Sequence, residues 1–173
     1  AQYLSFDRPR SFITSGGLGT MGFGLGAAEG AALATGEHVI LITGDGSFAM
    51  NMAELITAVD NRLPITVVLL NNHVLGMVRQ MQSLFKRQRY SQTTLDRTVD
   101  YVVLAQAFGA DASRATTREE FDRQLTAALA VEGPTFIECP LDKDEFVTPV
   151  LQIGASMDEL IVNMDDVKAK MGR

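Results

Sequence analysis

One cysteine, Cys139, in 173 residues leaves nothing to build a disulfide framework, so a reducing cytoplasm is the natural setting. No run of eighteen apolar residues exists, which excludes a membrane-crossing helix, and no secretory signal pattern opens the chain. A basic tail is missing as well. The formal net charge is −6, which argues against nucleic acid or a membrane surface as a partner. Internal repeats and low-complexity tracts are absent, which removes solenoids and flexible arrays. An initiator methionine is also lacking, and Ala1-Gln2-Tyr3 reads as the continuation of a longer chain. What remains is 46% hydrophobic and long enough to bury the core of one domain. Its 15 glycines crowd between Gly16 and Gly30. Arg79, Lys86, Arg87 and Arg89 form the one basic cluster, in the pattern of a solvated helix face and its exit.

Apolar runs and breakers alternate along the sequence. A glycine-rich segment from Gly16 to Gly26 leads into an alanine-rich helix ending near Thr35, closed by Gly36-Glu37. The run from His38 to Thr43 predicts a strand, and Met52, Leu55, Ile56 and Val59 give helical spacing over 49–59. Pro64 precedes a second strand over 65–70, then a helix over 75–85. Residues 86–98 are polar and irregular, the composition of a mobile loop. A helix over 100–108 ends at Gly109, followed by a short strand at 110–112. Thr117 and Glu120 have capping-box spacing for a helix to about Ala130. Gly133-Pro134 turns into a strand over 135–139, and the tail from Asp142 is polar with one helical turn near 157–161. This alternation predicts an α/β fold: a three-layer sandwich with a mainly parallel sheet and helices on both faces.

The candidate chemistry lies where two of these strands end. The first runs into Gly44-Asp45-Gly46-Ser47, the second into Asn71-Asn72, with 27 positions from Asp45 to Asn72. Both strands read as buried on both faces, and a parallel pair puts Asp45 and Asn72 at one sheet edge. A carboxylate and an amide oxygen suit Mg²⁺, which completes its octahedron with phosphate oxygens and water. The flanking glycines and Ser47 let backbone N–H groups approach a phosphate at a helix start. A diphosphate–Mg²⁺ site follows. Gly17-x-Gly19-x-x-Gly22 also fits a dinucleotide fingerprint, with an acid about twenty residues on. That fingerprint needs a solid strand before its first glycine, and Ser11–Thr14 is a poor one. A third reading leaves the glycines only close helix–sheet packing to explain.

Three stretches together narrow the choice: 15–24 (SGGLGTMGFG), 44–48 (GDGSF) and 75–80 (LGMVRQ). They resemble the C-terminal, thiamine diphosphate-binding domain of acetolactate (acetohydroxyacid) synthase catalytic subunits. The resemblance runs through nearly the whole chain and weakens after about Tyr90. It implies Asp45, Asn72 and the backbone carbonyl of Val74 as Mg²⁺ ligands. Gly44, Gly46, Ser47 and the backbone from Leu75 through Gly76 to Met77 would hold diphosphate. Gly19 and Met21 would meet the aminopyrimidine, with Met21 holding the cofactor bent, and Met77 and Met81 would line the substrate pocket. Read without the motif, Met21 and Met77 are ordinary core residues. The implied reaction decarboxylates pyruvate and joins the fragment to a second 2-oxoacid, pyruvate or 2-oxobutyrate. A glutamate needed for catalysis would come from the pyrimidine-binding domain of a neighbouring subunit, in a homodimer or larger assembly that could include a regulatory subunit. A split 2-oxoacid decarboxylase subunit is an alternative, as is a Rossmann-type nucleotide-binding module. His38 and His73 lack partners at zinc spacing, and Glu54 reads as a surface carboxylate. Two departures stand out. Gly26 occupies a position where many relatives have proline, and Met81 one where many have tryptophan, an aromatic this chain lacks altogether.

Overall fold

The computed structural model describes residues 3–96 and 98–172, and these pack as two compact units. The first unit runs to Asn71 and resumes over Val99–Pro140; the second takes Asn72–Thr98 and the chain from Leu141 onward. A length-based expectation of one domain says nothing of this division.

The first unit is built on four parallel strands: β1 (Val39–Gly44), β2 (Ile65–Asn71), β3 (Asp111–Arg114) and β4 (Thr135–Pro140). They lie in the order β1-β2-β4-β3, so the chain crosses over β4's place to lay down β3. β2 is central and almost wholly buried, which its unbroken β-branched and leucine sequence requires. β1 is not. It forms an edge, and Ile40 and Ile42 are 45% and 54% exposed, which corrects the expectation that both faces of this strand are covered.

One face of the sheet carries α1 (Phe23–Thr35), α3 (Leu55–Asp60) and α5 (Tyr101–Ala107). Leu25, Ala28 and Ala32 of α1 pack with Leu41, Val67, Leu69, Leu55, Tyr101 and Phe136. The small side chains let α1 lie close to the sheet, and Gly24 leaves Leu41 its place there. A Cβ on that glycine would stand 2.7 Å from a methyl carbon of Leu41. The other face carries α6 (Arg118–Ala128), whose Phe121, Leu125 and Ala128 enclose Ile137 and Ala115. Helices therefore lie on both faces, and the three-layer α/β expectation holds.

Local details differ from the periodicity. The helical spacing over 49–59 yields a 3₁₀ turn (Met52–Glu54) and the short α3 instead of one helix, and a four-residue helix, α2 (Asp45–Phe48), precedes them. Phe48 fixes α2 by inserting between Tyr101 and Phe136, at centroid distances of 6.0 and 5.3 Å. Thr117 caps α6 by accepting the Glu120 N–H. The Glu120 carboxylate, however, accepts from the Thr116 backbone and hydroxyl, so only half of the capping box forms.

The second unit centres on α4 (Gly76–Phe85) and α7 (Met164–Met171). Leu84, Phe146, Ile161, Val167 and Met171 form its core. The polarity of the tail hid α7, although Asn163 and Asp166 spell its start: Asn163 caps the helix and Asp166 reaches back to the Asn163 N–H. The turn expected near 157–161 is a 3₁₀ turn, Met157–Glu159. Arg79 is not the solvated residue its cluster suggested. It is buried, donates from Nε to Asp144 at 2.8 Å and lies 4.1 Å over the Tyr90 ring, while Lys86, Arg87 and Arg89 are exposed. Gln80 grips both backbone groups of Val147, donating to its carbonyl at 2.7 Å and accepting its N–H at 3.0 Å. These contacts fix α4 along its length.

Candidate cofactor site

In the first unit, Gly44 pairs with Leu70, so Asp45 and Asn71 leave the sheet at the same, C-terminal edge. Asp45 is 2% exposed and heads α2, which Phe48 anchors from below. Ser47 accepts the Gly22 N–H on its Oγ at 2.9 Å. That bond ties the glycine-rich segment to the Gly-Asp-Gly-Ser turn and leaves the hydroxyl hydrogen free to donate. Gly19 is left-handed (φ +60) with open space around its Cβ position, and Met21 is 39% exposed on the way into α1. The sequence thus brings Gly19, Met21, Gly44, Asp45, Gly46 and Ser47 into one unit.

The other candidate residues belong to the second unit. Asn72 accepts the Val74 N–H on Oδ1 at 3.2 Å, an Asx turn that leaves the oxygen a second lone pair. His73, between them, is left-handed at φ +55. This strained loop is braced by residues 93–95: Leu75 N–H donates to Thr93 O, and Leu95 N–H to His73 O, both at 2.8 Å. Leu75's amide is thereby occupied, and the next amides, of Gly76 and Met77, open α4. Gly76 makes room for the Asn72 side chain. A Cβ there would lie 3.0 Å from the Asn72 amide nitrogen. Met77 is 58% exposed, and Met81, one turn on, is half-buried.

Chemically, the candidate side chains offer hard oxygen donors, a buried carboxylate in the first unit and an amide oxygen in the second, a donor type that suits magnesium diphosphate and no soft metal. Among the described residues no group of three His, Cys, Asp or Glu could hold another metal. The dinucleotide reading fails on its own requirement, because residues 11–14 form no strand before Gly17. A family comparison decides between the remaining readings. Residues 1–139 match the model of the thiamine pyrophosphate enzyme, C-terminal TPP binding domain. The chain belongs to this family.

Among curated relatives, this TPP-binding domain is 46% identical to the acetolactate synthase isozyme 2 large subunit of Escherichia coli K12. That match extends over 93% of the chain and 30% of the relative. It is 43% identical to the mitochondrial acetolactate synthase catalytic subunit of Saccharomyces cerevisiae, over 93% of the chain and 23% of that protein. The chain thus spans under a third of the length of either. Among solved structures, benzoylformate decarboxylase from Polynucleobacter necessarius superposes with a TM-score of 0.68 at 27% identity. It covers 73% of this chain and 25% of that one.

Two further carboxylates of the first unit, Glu54 and Glu29, lie outside the candidate residues. Glu54 is exposed and accepts from the Thr57 hydroxyl at 3.1 Å. Glu29, unremarked in the sequence, lies on the buried side of α1 with Oε1 lacking any partner. Burial, then the nearby Glu54, pushes its carboxyl up to about 6. The sequence signal was available: one acid in an otherwise apolar helix. No helix among the described residues is long and apolar enough to cross a membrane.

Proposed function

We propose that this domain serves an acetolactate synthase-type enzyme, which decarboxylates pyruvate and joins the product to a second 2-oxoacid, pyruvate or 2-oxobutyrate. The observation carrying this reading is the 46% identity to an acetolactate synthase large subunit across 93% of the chain, supported by Gly-Asp-Gly-Ser and Asn-Asn each standing at the end of a parallel strand. Bound thiamine diphosphate supplies the electron sink for breaking and making the bond next to the 2-oxoacid carbonyl. The chain's own residues bind and orient. Asp45, Asn72 and the Val74 carbonyl hold Mg²⁺, and the Ser47 hydroxyl with the amides of Gly46, Gly76 and Met77 takes diphosphate. Gly19 and Met21 border the aminopyrimidine, and Met77 and Met81 border the substrate. The glutamate that activates the cofactor comes from the pyrimidine-binding domain of a neighbouring subunit, so the working unit is at least a dimer. A regulatory subunit could join it. Half-buried, unpaired Cys139 supports a reducing, cytoplasmic setting.

A split 2-oxoacid decarboxylase has support in the benzoylformate decarboxylase likeness, but at 27% identity it is the weaker reading. Replacing Asp45 by Ala tests the site. It removes the one anionic ligand, so magnesium-dependent thiamine diphosphate affinity falls by more than the roughly 10–100-fold typical of residues that only orient a ligand. Unchanged affinity in calorimetry refutes the assignment. Product analysis with pyruvate alone then separates the two chemistries: acetolactate marks the synthase and acetaldehyde the decarboxylase.

A further inference from the structure

At the C-terminal edge of the sheet, a buried carboxylate stands outside the site just described. Glu138 on β4 is 3% exposed, and its two oxygens take different partners. Oε1 accepts the Asn71 side-chain amide at 2.7 Å, and Oε2 accepts Arg114 Nε at 2.7 Å. Arg114 also donates to Asp100 Oδ1 at 3.0 Å, the same oxygen that caps α5 through the N–H groups of Val102 and Val103. A polar chain therefore runs from the first turn of α5, by way of β3 and β4, to the last residue of β2. That residue, Asn71, is 2% exposed and directly precedes Asn72.

Such an arrangement is costly for a purely structural tie. Glu138 gives up its water almost completely, while its cationic partner Arg114 stays 43% exposed and returns only a screened attraction. Nor does the sheet need it for register. The β2–β4 ladder already extends to Asn71 opposite Pro140. What the side-chain bond adds is a fixed rotamer for Asn71, and with it a fixed direction for the backbone leaving β2. Arg114, meanwhile, neutralises Glu138 so that the carboxylate does not compete as a metal ligand.

We propose that Glu138 and Asn71 are positioning residues for the metal-binding loop. Their hydrogen bond sets the exit of β2 so that Asn72 is delivered to the magnesium diphosphate. The proposal rests on the cofactor reading above, and the wild-type control separates the two. The experiment titrates Mg²⁺ into the full-length protein at fixed thiamine diphosphate, with calorimetric binding as the readout and melting temperature without cofactor alongside. Wild-type binding that needs no Mg²⁺ overturns the cofactor reading itself. Asn71→Asp sets two carboxylates against each other and raises the half-saturating Mg²⁺ concentration about tenfold or more, the range of orienting contacts. Adding Glu138→Gln reverses the bond. The new carboxylate at position 71 accepts from the new amide at 138, whose oxygen still serves Arg114. Binding then returns to within about threefold of wild type, a rescue that general loss of stability does not produce. If Asn71→Asp does not fold, Glu138→Gln alone serves, because the new NH2 group donates and cannot accept, so either the Asn71 amide or Arg114 is left facing a donor. It raises the Mg²⁺ requirement severalfold, while the melting temperature stays well above the assay. Wild-type Mg²⁺ dependence in either single variant, or no rescue in the double variant, overturns the proposal.

Discussion

Replacing Glu29 by Gln should stabilise the protein at neutral and alkaline pH and do almost nothing in acid. Glu29 is 7% exposed, its Oε1 has no partner, and its carboxyl is raised from 4.5 to about 6, first by burial and then by Glu54. A carboxyl whose pKa is higher folded than unfolded binds its proton more tightly in the native state. Below the unfolded value the charge costs nothing. Between pH 4.5 and 6 the penalty grows, and above 6 it is fully present. At 1.36 kcal/mol per unit, the shift corresponds to about 2 kcal/mol. The Glu54 part acts through solvent and is screened, so about 1–2 kcal/mol is the expected gain. For a chain of this size that is a rise of roughly 2–8 °C in melting temperature at pH 8. The glutamine keeps the shape and removes the charge. Thermal melts of wild type and Glu29→Gln from pH 4 to pH 8 check this, and the two curves should converge at the acid end. Glu54→Gln should recover a smaller part. An equal gain at pH 4 and pH 8 refutes the reasoning, because it makes the effect one of packing rather than ionisation.

Three further outcomes follow from the site. Gly76→Ala places a methyl 3.0 Å from the Asn72 amide nitrogen, so it should weaken magnesium-dependent thiamine diphosphate binding about tenfold or more; calorimetry at saturating Mg²⁺ measures it. Met81→Trp places an indole one turn from Met77. With Met81 bordering the substrate as proposed, the rigid ring should shift the choice between 2-oxobutyrate and pyruvate by about 1–3 kcal/mol relative to the flexible methionine. An unchanged product ratio in competition assays makes Met81 a packing residue. This chain on its own should show no turnover of pyruvate, because the proposed reading takes the activating glutamate from a neighbouring subunit, and acetolactate formation by the purified 173-residue chain disproves that.

The sequence by itself determined the parallel α/β architecture, because apolar runs of strand length alternate with helical patterns and crossovers bury both sheet faces. It also marked where two strands end, before Asp45 and before Asn72, because local sequence is enough to locate a strand's end. The tertiary structure decided whatever depends on which distant segments meet. β1 became an edge with Ile40 and Ile42 exposed because strand order, invisible to periodicity, placed it outermost. Phe48, just before the helical spacing over 49–59, is held between Tyr101 and Phe136, contacts more than fifty residues away in sequence that periodicity does not carry. α7 escaped notice because its polar tail buries only Val167 and Met171, against partners such as Leu84 and Phe146 that sequence does not bring near. Arg79 looked solvated until Asp144 and Tyr90 closed over it, and the Asn71–Glu138 bond joins residues 67 apart. Charge pairing and burial are long-range properties of the folded chain. Periodicity, turn chemistry and motif spacing are local ones, and only those are written residue by residue.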